Sequence, residues 1–385
     1  MNVLIWVTHL LGVGHFHRAV RIARALVDEG ARVTIASGGF PVRNVRLGAF
    51  AIVQLEPVAS PDVTFKRLVD ADGIDVGDEV LARRRDALIE LARTLRPAVV
   101  LTELFPFGRW KFQAELVPLI EDQRARADRP AIVASIRDIL VPPKKPSRGE
   151  IIRHLVTTYY DTILAHGDAD FVRLEHTLPL AAEFADRVAY TGYVVPDHDP
   201  SADTRPGEGA VIVSAGGSAF GGALLMAAIA ARPLTRLGRV PWLVLAGQGL
   251  AAETFAALRA AAARQSGVVV ERARADFPEL LTRARLSISQ AGYNTVCDVL
   301  AAGVPAVLAP FAEADESEQS ARVDLLAGRG LAVVVSDDPL TAQAVARAVD
   351  AASGITMDAG RMPRLDGART TARLLIETAR RFGHG

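Results

Sequence analysis

Three stretches of this 385-residue chain gather glycines, hydroxyls and titratable groups in patterns that can hold phosphate or move a proton. The first is His9-Leu10-Leu11-Gly12-Val13-Gly14-His15, which follows the apolar run Val3 to Val7. Phe16, Ala19, Val20, Ala23, Leu26 and Val27 come next at helical spacing, so the order reads strand, glycine loop, helix. A helix opening behind Gly14 offers unbonded N–H groups and the positive end of its dipole to a phosphate or an acceptor. His15 is the first choice for a general base, because imidazole titrates near working pH. Glu103, closing the strand Val99 to Thr102, and Asp138, following the strand that ends at Ile136, are the alternatives, and simple capping of the helix by His15 is the competing reading. The third glycine position of a dinucleotide fingerprint holds His17, and the second strand ends at Ser37 without an acid, which disfavours NAD.

The second stretch, Val211-Ile212-Val213-Ser214-Ala215-Gly216-Gly217-Ser218, runs into an Ala-rich helix. Gly216 and Gly217 let the backbone approach oxygens closely and Ser218 adds a hydroxyl donor, as a diphosphate cradle requires; a plain tight turn is the alternative. The third is Ile288-Ser289-Gln290-Ala291-Gly292-Tyr293-Asn294-Thr295-Val296-Cys297-Asp298, followed by Ala301-Ala302-Gly303-Val304-Pro305, then Ala309-Pro310-Phe311 and a polar loop with Asp315, Glu316, Glu318 and Gln319. Arg274, in the loop after the strand Val268 to Glu271, completes the candidate substrate-binding set.

This third stretch resembles the nucleotide-sugar motif of family 28 glycosyltransferases: strand, Ser-x-x-Gly, x-x-Thr, an acid in the helix, a Gly-x-Pro turn, Pro-Phe and a polar loop. Gly12, Gly14 and His15 match that family's N-terminal glycine-His loop, and Gly216, Gly217 and Ser218 its phosphate loop. The resemblance implies a GT-B fold, two doubly wound Rossmann-like domains facing across a cleft. It also implies that Ser218 and the backbone from Ala291 and Gly292 through Tyr293, Asn294 and Thr295 hold the diphosphate. Asp298, where the family usually has Glu, would then accept ribose hydroxyls. Glu318 and Gln319 stand where the family holds the donor sugar with a Gln pair; only Gln319 matches, so N-acetylglucosamine is not assumed as the sugar. Uracil as the nucleotide base rests on the resemblance alone.

The elements that must position these groups alternate strand and helix, the pattern of a parallel sheet. Strands are expected at Val3 to Val7, Val33 to Ala36, Ala98 to Leu101, Ala131 to Ile136 and Thr162 to Ala165. A second series is expected at Ala210 to Ser214, Trp242 to Ala246, Val268 to Glu271, Leu286 to Ser289, Ala306 to Ala309 and Ala332 to Val335. The aperiodic, Pro- and Asp-rich segment 196–209 reads as a linker between an acceptor-side domain, 1–195, and a nucleotide-sugar domain, 210–385, whose last helix is free to pack back on the first domain. Segments Pro57 to Asp78 and Pro142 to Glu150 read as loops.

Lys and Arg number 44 and Asp and Glu also 44, so no overall positive field attracts nucleic acid. Cys297 has no second thiol to pair with, and the N-terminal apolar run lacks a basic leader, so the cytoplasm is the expected location. No apolar run reaches bilayer length, and Arg83 to Arg85 reads as a solvated helix face; peripheral membrane contact stays open. The triplets Asp70 to Asp72, Asp168 to Asp170 and Asp197 to Asp199 do not follow a strand beside a phosphate loop, so no tight metal and no cofactor are expected. The expected chemistry is an inverting, metal-independent transfer from a nucleoside diphosphate sugar to an unknown acceptor hydroxyl. A nucleotide-sugar hydrolase, a 2-epimerase and a non-catalytic nucleotide-sugar-binding subunit are the alternatives.

Overall fold

Short runs of apolar β-formers form parallel strands only if helices cover both sheet faces, and the strand-helix alternation of this chain supplies them. The computed structural model describes residues 1–42, 48–62, 65–197, 207–216, 221–310, 317–337 and 339–384. The chain divides into two units, Met1–Val194 with Pro363–Gly385, and Val195–Met362.

In the first unit the strands are β1 (Asn2–Val7), β2 (Arg32–Ser37), β3 (Ala51–Gln54), β4 (Val99–Glu103), β5 (Ala131–Arg137), β6 (Thr162–His166) and β7 (Val188–Tyr190). They pair in parallel in the order β3-β2-β1-β4-β5-β6-β7. The helices among them are α1 (Gly14–Asp28), α2 (Asp78–Leu95), α3 (Gln113–Arg124), α4 (Pro146–Tyr159) and α5 (Leu174–Thr177). The second unit repeats the plan with β8 (Val211–Ser214), β9 (Trp242–Ala246), β10 (Val268–Arg272), β11 (Leu286–Gln290), β12 (Ala306–Ala309) and β13 (Val333–Val334), parallel in the order β10-β9-β8-β11-β12-β13. Its helices are α6 (Gly222–Ala231), α7 (Ala252–Ala262), α8 (Phe277–Leu281), α9 (Tyr293–Ala302), α10 (Ser317–Gly328) and α11 (Ala342–Ala352). Each sheet reverses its winding once, between β1 and β4 and between β8 and β11. Loops at the carboxyl ends of those strand pairs are where doubly wound sheets bind ligands.

The last helix, α12 (Gly367–Arg381), leaves the second unit and packs on α1. Its stripe of Ala372, Leu375 and Ala379 joins Phe16, Ala19, Ala23 and Leu26 in one buried cluster. The span 210–385 expected for the second domain is thereby shortened to end at Met362, because the apolar face of α12 finds its partner on α1. Most of the expected linker, 198–206, lies outside the described residues.

Two edge strands were not expected. β3 carries only Ala51, Ile52 and Val53 as an apolar signal, and β7 is three residues long. The expected loop Pro142 to Glu150 becomes helical at Pro146, whose fixed φ suits the first turn of α4. The solvated face expected at Arg83 to Arg85 also needs correction. Arg83 is exposed and Arg85 half-buried, but Arg84 is fully buried: it donates to Glu115 Oε2 at 2.9 Å and to the Gly38 carbonyl at 2.9 Å, while Trp6 donates to Glu115 Oε1 at 2.7 Å. α2 packs directly on α3, which carries Glu115, so the middle arginine turns inward to its carboxylate. Two of the aspartate triplets close turns: Asp70 accepts from the amides of Asp72 and Ile74, and Asp168 from those of Asp170 and Arg364. Among the described residues, no helix is long and apolar enough to cross a membrane.

Candidate active site

In the first unit His15 and Glu103 sit where the sheet reverses. β1 runs into the exposed loop Leu11–Val13, α1 opens at Gly14 with no side chain capping it, and His15 falls in its first turn. β4, paired beside β1, ends at Glu103, so strand order brings together two residues 88 positions apart. His15 Nδ1 lies 2.8 Å from Glu103 Oε1, and the carboxylate is 2% exposed. Arg18, one turn further along α1 and also buried, donates through NH2 to Oε1 and through Nε to Oε2. Ser135, in register with Glu103 on β5, donates to Oε2 at 2.6 Å. Behind it, His166 Nε2 lies 2.8 Å from Ser135 Oγ, and His166 Nδ1 lies 2.9 Å from Thr191 Oγ1.

Burial alone would push the Glu103 carboxyl up, but the Arg18 charge and the His15 hydrogen bond outweigh it and hold the group well below the usual carboxylate range. A carboxylate is acceptor-only, so Nδ1 of His15 carries the hydrogen and Nε2 keeps its lone pair. Burial, then the nearby Arg109 charge, lowers His15 to about 3 against the Glu103 bond that raises it, so the ring is neutral over the working range. Burial and the charge of Arg137 lower Arg109 itself to about 10.

Glu103, weighed as an alternative base, is thus the hydrogen-bond partner of His15. Asp138 is fully buried elsewhere in the unit: Oδ1 accepts the Ile139 amide and Oδ2 the Tyr193 hydroxyl, each at 2.9 Å. Arg18, Ser135 and His166 escaped sequence reasoning. Their signal was a polar residue inside an apolar helix face or at the carboxyl end of an apolar strand, Ala131–Arg137 and Thr162–His166.

In the second unit the two glycine loops leave neighbouring strands. Ser214 at the end of β8 is in register with Ser289 on β11. Gly216 has φ +72° and its amide donates to Ser214 Oγ at 3.2 Å; Gly217 and Ser218 lie outside the described residues. At Gly221, with φ +98°, an added Cβ would sit 2.3 Å from Ala215 Cβ and 3.4 Å from Gln290 Oε1, so this backbone passes close beside the end of β11. Ala291 is fully buried, and Gly292 caps α9 in extended geometry without a side-chain hydrogen bond. The amides of Tyr293, Asn294 and Thr295 follow at the positive end of the helix. Asn294 Oδ1 is buried with no hydrogen-bond partner. Asp298 lies one turn on, 8% exposed, and α9 stops at Gly303 in a left-handed conformation ahead of Pro305.

The polar loop expected after Phe311 is partly helix. Asp315 and Glu316 lie outside the described residues, whereas Glu318 and Gln319 fall in the first turn of α10. Glu318 is buried and accepts from Arg322 NH2 at 2.7 Å, and that guanidinium lies 5.4 Å from the Tyr293 ring centroid, tying α10 to α9. Arg274 is engaged by acids, donating to both oxygens of Asp276 at 2.9 and 2.7 Å and to Glu271 at 3.1 Å.

Two parallel, doubly wound sheets, each with its glycine loops at the reversal, define the GT-B glycosyltransferase fold. The calicheamicin glycosyltransferase superposes with a TM-score of 0.58 at 17% identity, covering 98% of this chain and 94% of that one. MurG of Acinetobacter baumannii gives 0.55 at 15% identity, covering 98% and 100%. Residues 239–361, which include the α9 loop, match the glycosyltransferase family 28 C-terminal domain. A curated relative in Methylococcus capsulatus is the UDP-N-acetylglucosamine--N-acetylmuramyl-(pentapeptide) pyrophosphoryl-undecaprenol N-acetylglucosamine transferase, 34% identical over 111 residues. The match covers 27% of this chain and 31% of the relative, so this chain spans less than a third of that relative's length.

Proposed function

We propose that this chain transfers a sugar from a nucleoside diphosphate sugar, with UDP as the nucleotide, to an acceptor hydroxyl, inverting the anomeric centre and using no metal ion. The observation that carries the reading is the uncapped start of α9 at Gly292 beside the β8 loop, with the Asn294 side-chain oxygen buried and unpartnered. Buried polar atoms are almost always satisfied, so an orphan acceptor beside free helix amides fits a ligand that brings both hydroxyls and phosphate oxygens. In this reading the amides of Tyr293 to Thr295 and the backbone at Gly216 take the diphosphate, while Asn294 Oδ1 and Asp298 accept sugar or ribose hydroxyls. The leaving charge falls on preorganised N–H dipoles, which stabilise a developing anion without a cation. UDP is supported by the relative's name.

His15 Nε2 takes the acceptor proton, the acceptor oxygen bonds to the anomeric carbon, and the bond to the diphosphate oxygen breaks. Glu103 compensates the charge that arrives on the ring, as the carboxylate of a Ser-His-Asp triad does for its histidine. A thermal-shift panel of nucleoside diphosphates in EDTA tests the donor side, since a ligand at 100 times its Kd stabilises by about 2.7 kcal/mol. Product analysis tests the reaction: free sugar formed at full rate without acceptor makes the chain a hydrolase, and an altered sugar still on the nucleotide makes it an epimerase.

A further inference from the structure

The hydrogen bonds behind Glu103 have a direction that can be deduced. Glu103 accepts from His15, Arg18 and Ser135 and has no hydrogen to give. Ser135 therefore spends its one hydroxyl hydrogen on Oε2, at 2.6 Å, and its oxygen can only accept from His166 Nε2, at 2.8 Å. With Nε2 protonated, His166 Nδ1 must accept: the Thr191 hydroxyl stands at 2.9 Å, with the Gly192 carbonyl at 2.8 Å as the other acceptor for its single hydrogen, and the Thr371 hydroxyl of α12 stands at 3.5 Å. Ser135 and His166 are both fully buried, near the carboxyl end of β5 and at that of β6, each directly after an apolar run, Ala131–Ala134 and Ile163–Ala165. Replacing buried polar pairs by apolar residues is often neutral or stabilising, so stability alone gives no reason for them here.

We propose that Ser135 and His166 are positioning residues for the base at His15. The chain from His166 Nε2–H through Ser135 Oγ–H fixes Glu103 Oε2, and the carboxylate so oriented holds His15 as its Nδ1–H tautomer with the Nε2 lone pair open. No atom of this chain but Nε2 of His15 exchanges a proton with substrate; the other links only orient. Among the described residues His15 Nε2 makes no hydrogen bond. Burial, followed by the Arg18 charge, lowers His166 to about 3, consistent with a neutral ring that donates from one nitrogen and accepts at the other. The inference rests on the transfer reaction proposed above for its catalytic consequence, but its structural content is readable without turnover.

The test is nitrogen NMR of the full-length protein labelled at histidine, together with steady-state kinetics, on Ser135→Ala, His166→Ala and His166→Gln. Wild type is expected to show His15 protonated at Nδ1. Ser135→Ala, a small change at a strand end, is expected to fold, to show His15 as a mixture of tautomers, and to lower kcat with donor KM unchanged. The drop in kcat is bounded by the roughly 10²- to 10⁴-fold that a positioned base contributes. His166→Ala should behave alike, and His166→Gln, whose amide N–H reaches the same oxygen, should restore the tautomer and part of the rate. A Ser135→Ala protein that keeps the wild-type tautomer and kcat overturns the proposal. If wild type transfers no sugar from any nucleoside diphosphate donor, the functional reading fails, while the tautomer comparison still decides this inference.

Discussion

His15 Nδ1 and Glu103 Oε1 are 2.8 Å apart although 88 residues separate them, because β1 and β4 pair where the first sheet reverses its winding. The carboxylate selects the imidazole tautomer, and Arg18 keeps the carboxylate ionised inside the protein. Imidazole, carboxylate and countercharge form one unit, so removing one member changes the other two.

Glu103→Gln is expected to destabilise the first unit by about 3–5 kcal/mol, the cost of breaking a buried ion pair, because the buried Arg18 guanidinium loses its carboxylate. Urea unfolding of the two proteins measures it. A loss under about 1 kcal/mol would mean that the pair contributes no more than an exposed one.

Acid should destabilise the native state well before the carboxylates titrate. His15 and His166 are lowered to about 3 and His17 to about 4, each chiefly by burial, from 6.5. Below pH 6.5 the unfolded chain binds protons that the native state refuses. The stabilisation is complete above that pH and is lost progressively as pH falls towards 4 and then 3. Each ring contributes up to about 1.4 kcal/mol per pH unit. Melting temperatures between pH 7.5 and 4.5 should fall with increasing slope; a flat profile down to pH 5 would show that these rings titrate normally.

Asp298→Ala should weaken nucleoside diphosphate binding by about 1–3 kcal/mol, the cost of leaving a buried polar partner unsatisfied, with little change in donor turnover at saturation. Calorimetric titration reads the affinity directly. Equal affinities would remove Asp298 from ribose recognition.

Leu375→Ala on α12, at a fully buried position, should cost about 2–5 kcal/mol. Hydrogen exchange should place that loss on the amides of Met1–Val194 and spare those of Val195–Met362. Deprotection of the second unit instead would show that α12 supports the wrong partner.

Much of the fold was legible because apolar strand runs such as Trp242–Ala246 and Ala306–Ala309 are bounded by breakers and separated by helix-length stretches. β3 and β7 were not legible, since an edge strand of three or four residues leaves too short a pattern. Glycine loops and His15 stood out by placement after strands. The link from His15 to Glu103 did not, because which strands become neighbours depends on winding order, which spacing does not encode. Ser135, His166 and Arg84 were hidden for a related reason. Each is a polar side chain buried by a partner on another element, and local pattern reads such a residue as surface.

The most direct test of the reading is turnover of a nucleoside diphosphate sugar by wild type and by His15→Ala, in EDTA, with nucleoside diphosphate affinity measured on both. Wild-type turnover should persist in the chelator, and His15→Ala should lose roughly 10²- to 10⁴-fold in kcat while binding the nucleotide as tightly as wild type. Full activity in His15→Ala, or wild-type activity that vanishes with EDTA and returns with magnesium, would contradict it.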